Sequence, residues 1–359
     1  MQNTYFLGGA SPEGFETDFW RANAQRHNYG IYLKGGPGTG KSTLMKKIAA
    51  AFADEPVSVY HCASDPHSLD AVVLESRGVF IADATAPHEA GTPLPYVTGE
   101  LADLAAGLDP ALLRDSAEPI RALHQANQAA HMQARKGLAG IAAMEEQLGI
   151  IGRRALLPEK LAHFADRLAK RILPKKSCSG DPPSCEILHR QRIAVTPAGR
   201  LAFLPEDCDL MLLDDPAQAA GGMLLSLLAE SAAAHGQPAE LTHSQTQPDR
   251  APVLLSLPVQ KLVLAASDAL PSEAAPSPVS VIHMQRFYDA EQLRSQRTLL
   301  RFSKKTASAL EAKTVSLLAD ALRLHDELEA YYIRALQTPY LDRKAAELTE
   351  RLRGFPQSA

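Results

Sequence analysis

The chain has 359 residues, of which 45% are hydrophobic and 22% charged, and its formal net charge is −4. These values are typical of an ordinary globular protein and exclude disordered or collagen-like chains. The length suits two domains of roughly 150–180 residues. The small negative charge provides no overall attraction for nucleic acid or for an anionic membrane, so we expect neither as a partner.

The sequence predicts a cytoplasmic protein. It contains no run of about 18 apolar residues, and its first residues lack the basic start and apolar core of a signal peptide. Its four cysteines do not form the dense pattern of a disulfide-stabilised secreted protein.

A glycine-rich loop lies between a predicted strand and a predicted helix. Residues 30–33 are apolar, as in a buried strand, and apolar residues recur at helical spacing over residues 42–52. Between them, the sequence Gly35-Gly36-Pro37-Gly38-Thr39-Gly40-Lys41-Ser42 fits the phosphate-binding loop (P-loop) pattern G-x-x-x-x-G-K-[ST]. The strand–loop–helix context supports the match, because the helix N-terminus is part of the binding chemistry.

The residues of the P-loop have distinct chemical roles. Glycines allow backbone N–H groups to surround an anion, and the following helix adds partial positive charge at its N-terminus. Lys41 can reach the β- and γ-phosphates of a nucleotide, and the Ser42 hydroxyl can hold Mg²⁺. ATP and Mg²⁺ are therefore the predicted cofactors, and Lys41 is a predicted catalytic residue. The predicted ATP-binding residues are Gly35, Gly36, Pro37, Gly38, Thr39, Gly40, Lys41, Ser42 and Thr43.

Two aspartates follow predicted strands farther along the chain. Strand-like runs at residues 57–60 and 79–82 alternate with helical segments, which predicts a parallel sheet with ligands at the carboxyl ends of its strands. Asp83 follows the second run and is predicted to hold Mg²⁺ together with Ser42; the alternative is an exposed turn acid. Asp65 lies just past the first run, where a carboxylate can act as a base or metal contact, but Asp-Pro also commonly starts a turn.

The residue after Asp83 is Ala84, at the position where many motor-type ATPases carry a water-activating glutamate. The usual base for fast hydrolysis is therefore missing from its usual place. We expect slow hydrolysis, or hydrolysis that requires a partner to complete the site.

Long helical segments are predicted in both halves of the chain. Sequence with helical periodicity extends over residues 112–173 and again over residues 289–355. Basic residues of the second segment fall largely on one helical face: Arg294, Arg297, Arg301, Lys304 and Lys305. This basic face is either solvated, or a contact for an acidic partner, or the source of an arginine finger.

The second half of the chain repeats the first at a nearly constant offset. Residues 32–48 align with residues 211–227, and the helical tails align as well. Three P-loop residues are replaced in the second half, where Ala219, Ala220 and Gly221 stand at the positions of Gly40, Lys41 and Ser42. The phosphate-binding lysine and the Mg²⁺-binding hydroxyl are therefore absent there. Asp214 and Asp215 also place negative charge where a phosphate would have to sit. The second half is therefore predicted to be a P-loop fold that no longer binds nucleotide in the usual way.

Four motifs occur in order in the first half. They are Gly-Gly-x-x-Pro-x-Gly (8–14), Lys-Gly-Gly-Pro-Gly-Thr-Gly-Lys-Ser-Thr (34–43), His-Cys-Ala-Ser-Asp-Pro-His-Ser-Leu-Asp (61–70) and Ala-Asp-Ala-Thr-Ala-Pro-His (82–88). Together they resemble an uncharacterised bacterial family of tandem P-loop ATPases, and the resemblance extends over nearly the whole chain. It implies ATP binding and ATPase activity. Members generally carry P-loops in both halves, so this chain departs from the family in its second half.

We therefore expect an α/β protein of two tandem P-loop NTPase-type domains with parallel sheets and long helical extensions. Residues 1–174 are the predicted active domain, residues 175–190 a linker, and residues 191–359 a degenerate domain with a scaffolding or regulatory role. The expected function is Mg-dependent ATP hydrolysis, with an unknown protein partner or acceptor. Two alternatives remain open: a small-molecule or nucleotide phosphotransferase in which Asp65 assists the acceptor hydroxyl, and a non-hydrolysing nucleotide-dependent switch.

Overall fold

The computed structural model describes residues 2–20, 29–86, 90–92, 94–174, 185–246, 252–271 and 280–357. Most of the predicted linker, residues 175–184, lies outside this described part, as do residues 87–89 of the last sequence motif. The chain forms two compact units. The first comprises Met1–Gly9, Phe15–Ala134 and Val315–Ala359, and the second comprises Ala10–Gly14 and Arg135–Thr314.

The strands are numbered in chain order. Those of the first half are β1 (Gln2–Phe6), β2 (Gly9–Ala10), β3 (Phe15–Glu16), β4 (Tyr29–Lys34), β5 (Val57–His61), β6 (Leu69–Leu74), β7 (Val79–Asp83) and β8 (Gly99–Asp103). Those of the second half are β9 (Ile187–His189), β10 (Ile193–Thr196), β11 (Gly199–Ala202), β12 (Asp209–Asp214), β13 (Ala239–His243), β14 (Pro252–Leu257), β15 (Leu262–Ala266) and β16 (Ser280–His283).

The helices include two long ones of 39 residues each, α3 and α7. The α-helices with bounds inside the described residues are α1 (Lys41–Ala51), α2 (Pro110–Asp115), α3 (Ala117–Ala155), α4 (Pro158–Ile172), α5 (Ala220–Ala234), α6 (Ala290–Ser295), α7 (Arg297–Ala335) and α8 (Thr338–Arg353). Within the described residues, none of the helices combines the length and the apolar character needed to cross a membrane.

The first unit contains a six-stranded mixed sheet in the order β1-β5-β6-β7-β4-β8. Strand β4 is parallel to β7 and β8, and β1 is parallel to β5, but β6 is antiparallel to both of its neighbours. The prediction of a parallel sheet is therefore wrong at β6. The physical reason is connection length, because residues 62–68 and 75–78 are too few for the crossover of a dozen or more residues that parallel neighbours require.

The second unit repeats this topology. Its sheet has the order β9-β13-β14-β15-β12-β16, with β14 antiparallel to β13 and β15 and the remaining pairs parallel. A register shift in the strand pairing also recurs. It lies between Tyr60 and His61 in one sheet and between Thr242 and His243 in the other. The repeat in the sequence thus corresponds to a repeated architecture, and both sheets are mixed rather than parallel.

The terminal helix of each half belongs to the unit built around the other half's sheet. Helix α8 contributes Leu341, Ala345, Leu348 and Leu352 to the core of the first unit, beside buried residues of α1 and β4. Helix α4 contributes Leu161, Ala165, Leu168 and Ala169 to the core of the second unit, beside α5. The predicted domains 1–174 and 191–359 therefore differ from the compact units, which exchange these helical segments.

Replacing Leu348 with alanine is expected to destabilise the first unit by about 2–5 kcal/mol, because the change removes a fully buried side chain from a packed core. Urea denaturation followed by circular dichroism measures the free energy. The control is Leu112→Ala: this leucine is 51% exposed on α2, so its loss should change stability by less than about 0.5 kcal/mol. Equal effects of the two substitutions would contradict the packing of α8 in this core.

Candidate phosphate-binding site

The P-loop of the first unit connects the buried strand β4 to helix α1. Gly38 and Gly40 have φ angles of 67° and 83°, in the left-handed region that glycine adopts most readily. A Cβ atom on Gly40 would also lie 2.5 Å from Leu341 Cδ2, so both backbone angle and space favour glycine. Gly40 is the N-cap of α1, and no side chain of the described residues caps this helix end. Such a helix N-terminus presents backbone N–H donors to an anion.

Lys41 and Asp83 meet beside this loop. Strands β4 and β7 are parallel neighbours with Leu33 paired to Asp83, so the loop and the carboxylate lie at the same edge of the sheet. The Lys41 ammonium donates to the carbonyl oxygens of Gly35 and Gly36 at 3.0 and 2.8 Å. It also lies 3.6 Å from Asp83 Oδ2, and both side chains are mostly buried. The two charged residues singled out from the sequence are thus close together.

Hydrogen bonds fix the Asp83 carboxylate and the Ser42 hydroxyl. The backbone N–H of Thr85 donates to Asp83 Oδ1 at 2.8 Å, and the Thr85 hydroxyl donates to the Gly35 carbonyl at 2.9 Å. The Ser42 hydroxyl oxygen accepts the N–H of Leu69 at 2.9 Å. Because a hydroxyl oxygen has two lone pairs, one remains to bind a cation. Sequence reasoning missed Thr85, which orients the acid and ties its strand to the loop.

Asp65 forms a turn. Its Oδ1 accepts the N–H of His67 at 3.1 Å, and its carbonyl accepts the N–H of Ser68 at 2.9 Å. This is the turn-starting role that Asp-Pro commonly has; the catalytic role of Asp65 stays a prediction. Nearby, His61 Nδ1 lies 2.7 Å from the Pro66 carbonyl oxygen, and burial lowers the pKa of His61. That histidine is therefore neutral and packed.

Helix α7 supplies residues that sequence reasoning did not identify. Glu329 Oε1 accepts the N–H of Gly38 at 2.9 Å. A Cβ atom on Gly36 would lie 3.3 Å from the Tyr332 ring, so this tyrosine packs against the loop. His325 Nε2 lies 3.7 Å from Glu329 Oε1, and the interaction with this imidazole is the main cause that lowers the pKa of Glu329. A carboxylate from a distant helix thus contacts the P-loop directly.

In the second unit, Asp215 occupies the corresponding loop between β12 and α5. Its Oδ1 accepts the N–H of Ala217 at 3.1 Å, and its Oδ2 accepts the N–H of Gly221 at 2.7 Å. Asp215 is only 5% exposed. The carboxylate therefore satisfies, from within the loop, backbone donors of the kind that hold phosphate in a P-loop.

Tyr288 completes this internal network. Its hydroxyl donates to Asp215 Oδ1 at 2.6 Å and accepts the N–H groups of Ala219 and Ala220 at 3.1 and 2.7 Å. Burial, and then the neighbouring Asp215 charge, raise the pKa of Tyr288 far above its usual value, so the hydroxyl keeps its proton. The sequence comparison identified the charge of Asp215 but not the tyrosine, which lies about 70 residues farther along the chain.

The predicted basic face lies in the second unit, on α6 and α7. Its five residues are exposed: Arg294, Arg297, Arg301, Lys304 and Lys305. The exposure of these five side chains is consistent with a solvated face. Their roles as a partner contact or as an arginine finger stay predictions.

Comparison of the chain with protein-family models, with curated proteins and with solved structures finds no match. The geometry of the loop is therefore the basis for assigning its function.

Replacing Asp215 with alanine is expected to lower the stability of the second unit by about 2–4 kcal/mol, because buried N–H groups and the Tyr288 hydroxyl lose their acceptor. Urea denaturation provides the measurement. The adjacent Asp214 is a matched control, since its side chain is exposed and pairs with an exposed His283 at 3.0 Å, and Asp214→Ala should cost less than about 1 kcal/mol. A small loss at Asp215 would show that its hydrogen bonds do not hold the loop.

Proposed function

We propose that the first unit binds Mg-ATP through residues 35–43 and that the protein is a slow ATPase. The observation that carries the proposal is the position of the Lys41 ammonium, 3.6 Å from the Asp83 carboxylate, at a helix N-terminus that no side chain in the described part of the chain caps. A cation for phosphate, an acid for a metal and a set of backbone donors then converge at one sheet edge. In this proposal the fold is of the P-loop NTPase type, as the sequence pattern indicates.

The residues at the site suit the groups they would hold. Ser42 and Asp83 offer hydroxyl and carboxylate oxygens, the ligand type that Mg²⁺ prefers, and Mg²⁺ would neutralise charge that develops on the phosphates. Lys41 now donates to the loop carbonyls of Gly35 and Gly36, and the same ammonium can turn to phosphate oxygens. Thr85 holds one oxygen of Asp83 and leaves the other toward Lys41.

The residue that follows Asp83 supports slow turnover. Ala84 is fully buried and offers no carboxylate to activate water. In the second unit, Asp215 and Tyr288 accept the donors of the corresponding loop, which supports a scaffolding or regulatory role for that unit. The proposal is therefore one hydrolytic site in the chain, with low intrinsic activity.

A specific contact favours a second candidate, a nucleotide-dependent switch. The P-loop packs against α7 through Gly38, whose Cβ would lie 2.9 Å from the Glu329 carbonyl oxygen and 3.0 Å from Tyr332 Cβ. A ligand that changes the loop would therefore act on this helix directly. A switch needs binding that differs between two conformations, but it does not need turnover.

Replacing Lys41 with alanine is expected to weaken Mg-ATP binding at least about 30-fold, or ~2 kcal/mol, because the phosphate loses a charged donor in a mostly buried site. Isothermal titration calorimetry measures the dissociation constant. Lys46→Ala is the matched control: Lys46 is exposed on the same helix, so its removal should change affinity less than about twofold. Equal binding by Lys41→Ala and the unsubstituted protein would refute the proposed site.

Turnover assays on the same proteins separate the reaction classes. Phosphate release from Mg-ATP without an added acceptor, lost in Lys41→Ala and in Asp83→Asn, is the result expected for an ATPase. Phosphate that appears only on an added metabolite, with loss in Asp65→Asn, would instead identify a phosphotransferase. Tight binding without turnover under either condition would identify the switch.

A further inference from the structure

One backbone donor of the P-loop is already bound to an anion that belongs to the protein. The Gly38 N–H donates to Glu329 Oε1 at 2.9 Å. Backbone N–H groups of a P-loop are the donors that hold phosphate oxygens. The carboxylate and an incoming phosphate are both anionic acceptors, so they compete for the Gly38 donor.

The charges around Glu329 strengthen this competition. Its neighbour His325 lowers the pKa of Glu329, which keeps the carboxylate ionised at neutral pH. Burial raises the pKa of Asp326, and the charges of Asp65 and Glu329 add to this effect. Asp326 and Glu329 both belong to α7, the helix that contacts the loop, so this helix carries two carboxylates. A triphosphate that enters with these carboxylates in place meets their repulsion.

The second unit provides a comparison within the same chain. There the donor that corresponds to Gly38, the Ala217 N–H, is bound by Asp215, a residue of the loop itself that is 5% exposed and held by Tyr288. Glu329, in contrast, reaches the first loop from a separate helix, and its side chain is 35% exposed. A partly exposed glutamate has torsional freedom and solvent on one side, so it can leave the donor while the helix stays packed.

We propose that Glu329 is a displaceable competitor of nucleotide phosphate, which occupies the Gly38 donor in the resting protein and sets the nucleotide affinity of the site. This inference rests on the proposed function, because it concerns regulation of the same loop. Binding of Mg-ATP requires the carboxylate to leave Gly38. Any contact that draws Glu329 away from the loop raises the affinity for nucleotide.

The test is calorimetric titration of Mg-ATP into the full-length protein and its variants, at one pH and one salt concentration. Glu329→Ala removes the competing acceptor and should bind about tenfold more tightly, and Glu329→Gln, which keeps an uncharged acceptor, should fall between the two. Glu327→Gln is the matched control, because Glu327 lies on the same helix but pairs with Arg323 at 2.5 Å in an exposed position. Its affinity should match that of the unsubstituted protein.

Asp326→Asn separates occupation of the donor from general repulsion. This substitution removes a nearby charge but leaves the bond between Gly38 and Glu329. Its increase in Mg-ATP affinity should therefore be smaller than that of Glu329→Ala. A gain as large as that of Glu329→Ala would overturn the proposal, as would unchanged or weaker binding by both Glu329 variants while the unsubstituted protein binds. Those results would leave the nucleotide site standing. If the unsubstituted protein and all variants fail to bind Mg-ATP, the proposed function itself is wrong.

Discussion

Both units contain a helix that follows a strand after a short loop, and the first backbone N–H groups of such a helix have no partners within it. This constraint determines the chemistry of each loop. In the second unit, Asp215 and Tyr288 accept these donors from inside the fold. In the first unit, glycines and Lys41 surround a helix start that no described side chain caps, and an acceptor must come from elsewhere. The same local architecture thus yields one loop with an acceptor of its own, Asp215, and one whose Gly38 donor is bound by an acceptor from a separate helix.

The two ways of satisfying the loop donors differ in their effect on stability. A loop that satisfies its own donors is a stable connection, and the buried Asp215 loses its partners only if the unit opens. A loop that relies on an outside acceptor is less completely satisfied when the acceptor leaves, because buried donors without partners are unfavourable. Glu329 relieves that penalty for one loop donor, the Gly38 N–H. In the proposed competition, the same bond lowers the affinity of the loop for any other anion.

Local patterns in the sequence predicted which residues lie together in the candidate site. The P-loop pattern, the strand before it and the acid that ends β7 are all short-range features, and the structure brings Lys41 and Asp83 together. The direction of β6 did not follow from its apolar residues, because the strand is buried along its whole length and periodicity carries no direction. Only the lengths of its two connections distinguish antiparallel from parallel pairing.

Other features depend on contacts that no local pattern records. Gly38 and Glu329 are 291 positions apart. In the sequence, nothing distinguishes Glu329 from other acidic residues on a helix surface. The helices α4 and α8 present the same apolar spacing, with Leu161 and Leu168 matching Leu341 and Leu348. Because either helix has the pattern to cover either sheet, sequence alone could not assign them to units.

The assignment of α8 to the first unit has a consequence for synthesis on the ribosome. Domains generally fold as they emerge, those nearest the N-terminus first. Here the core around α1 and β4 needs Leu341 and Leu348, whereas the second unit is complete once Thr314 has been made. The order of completion is therefore the reverse of the order of synthesis. Until α8 has been made, the core beside the P-loop lacks part of its apolar cover. That core is complete only when α8 has been translated.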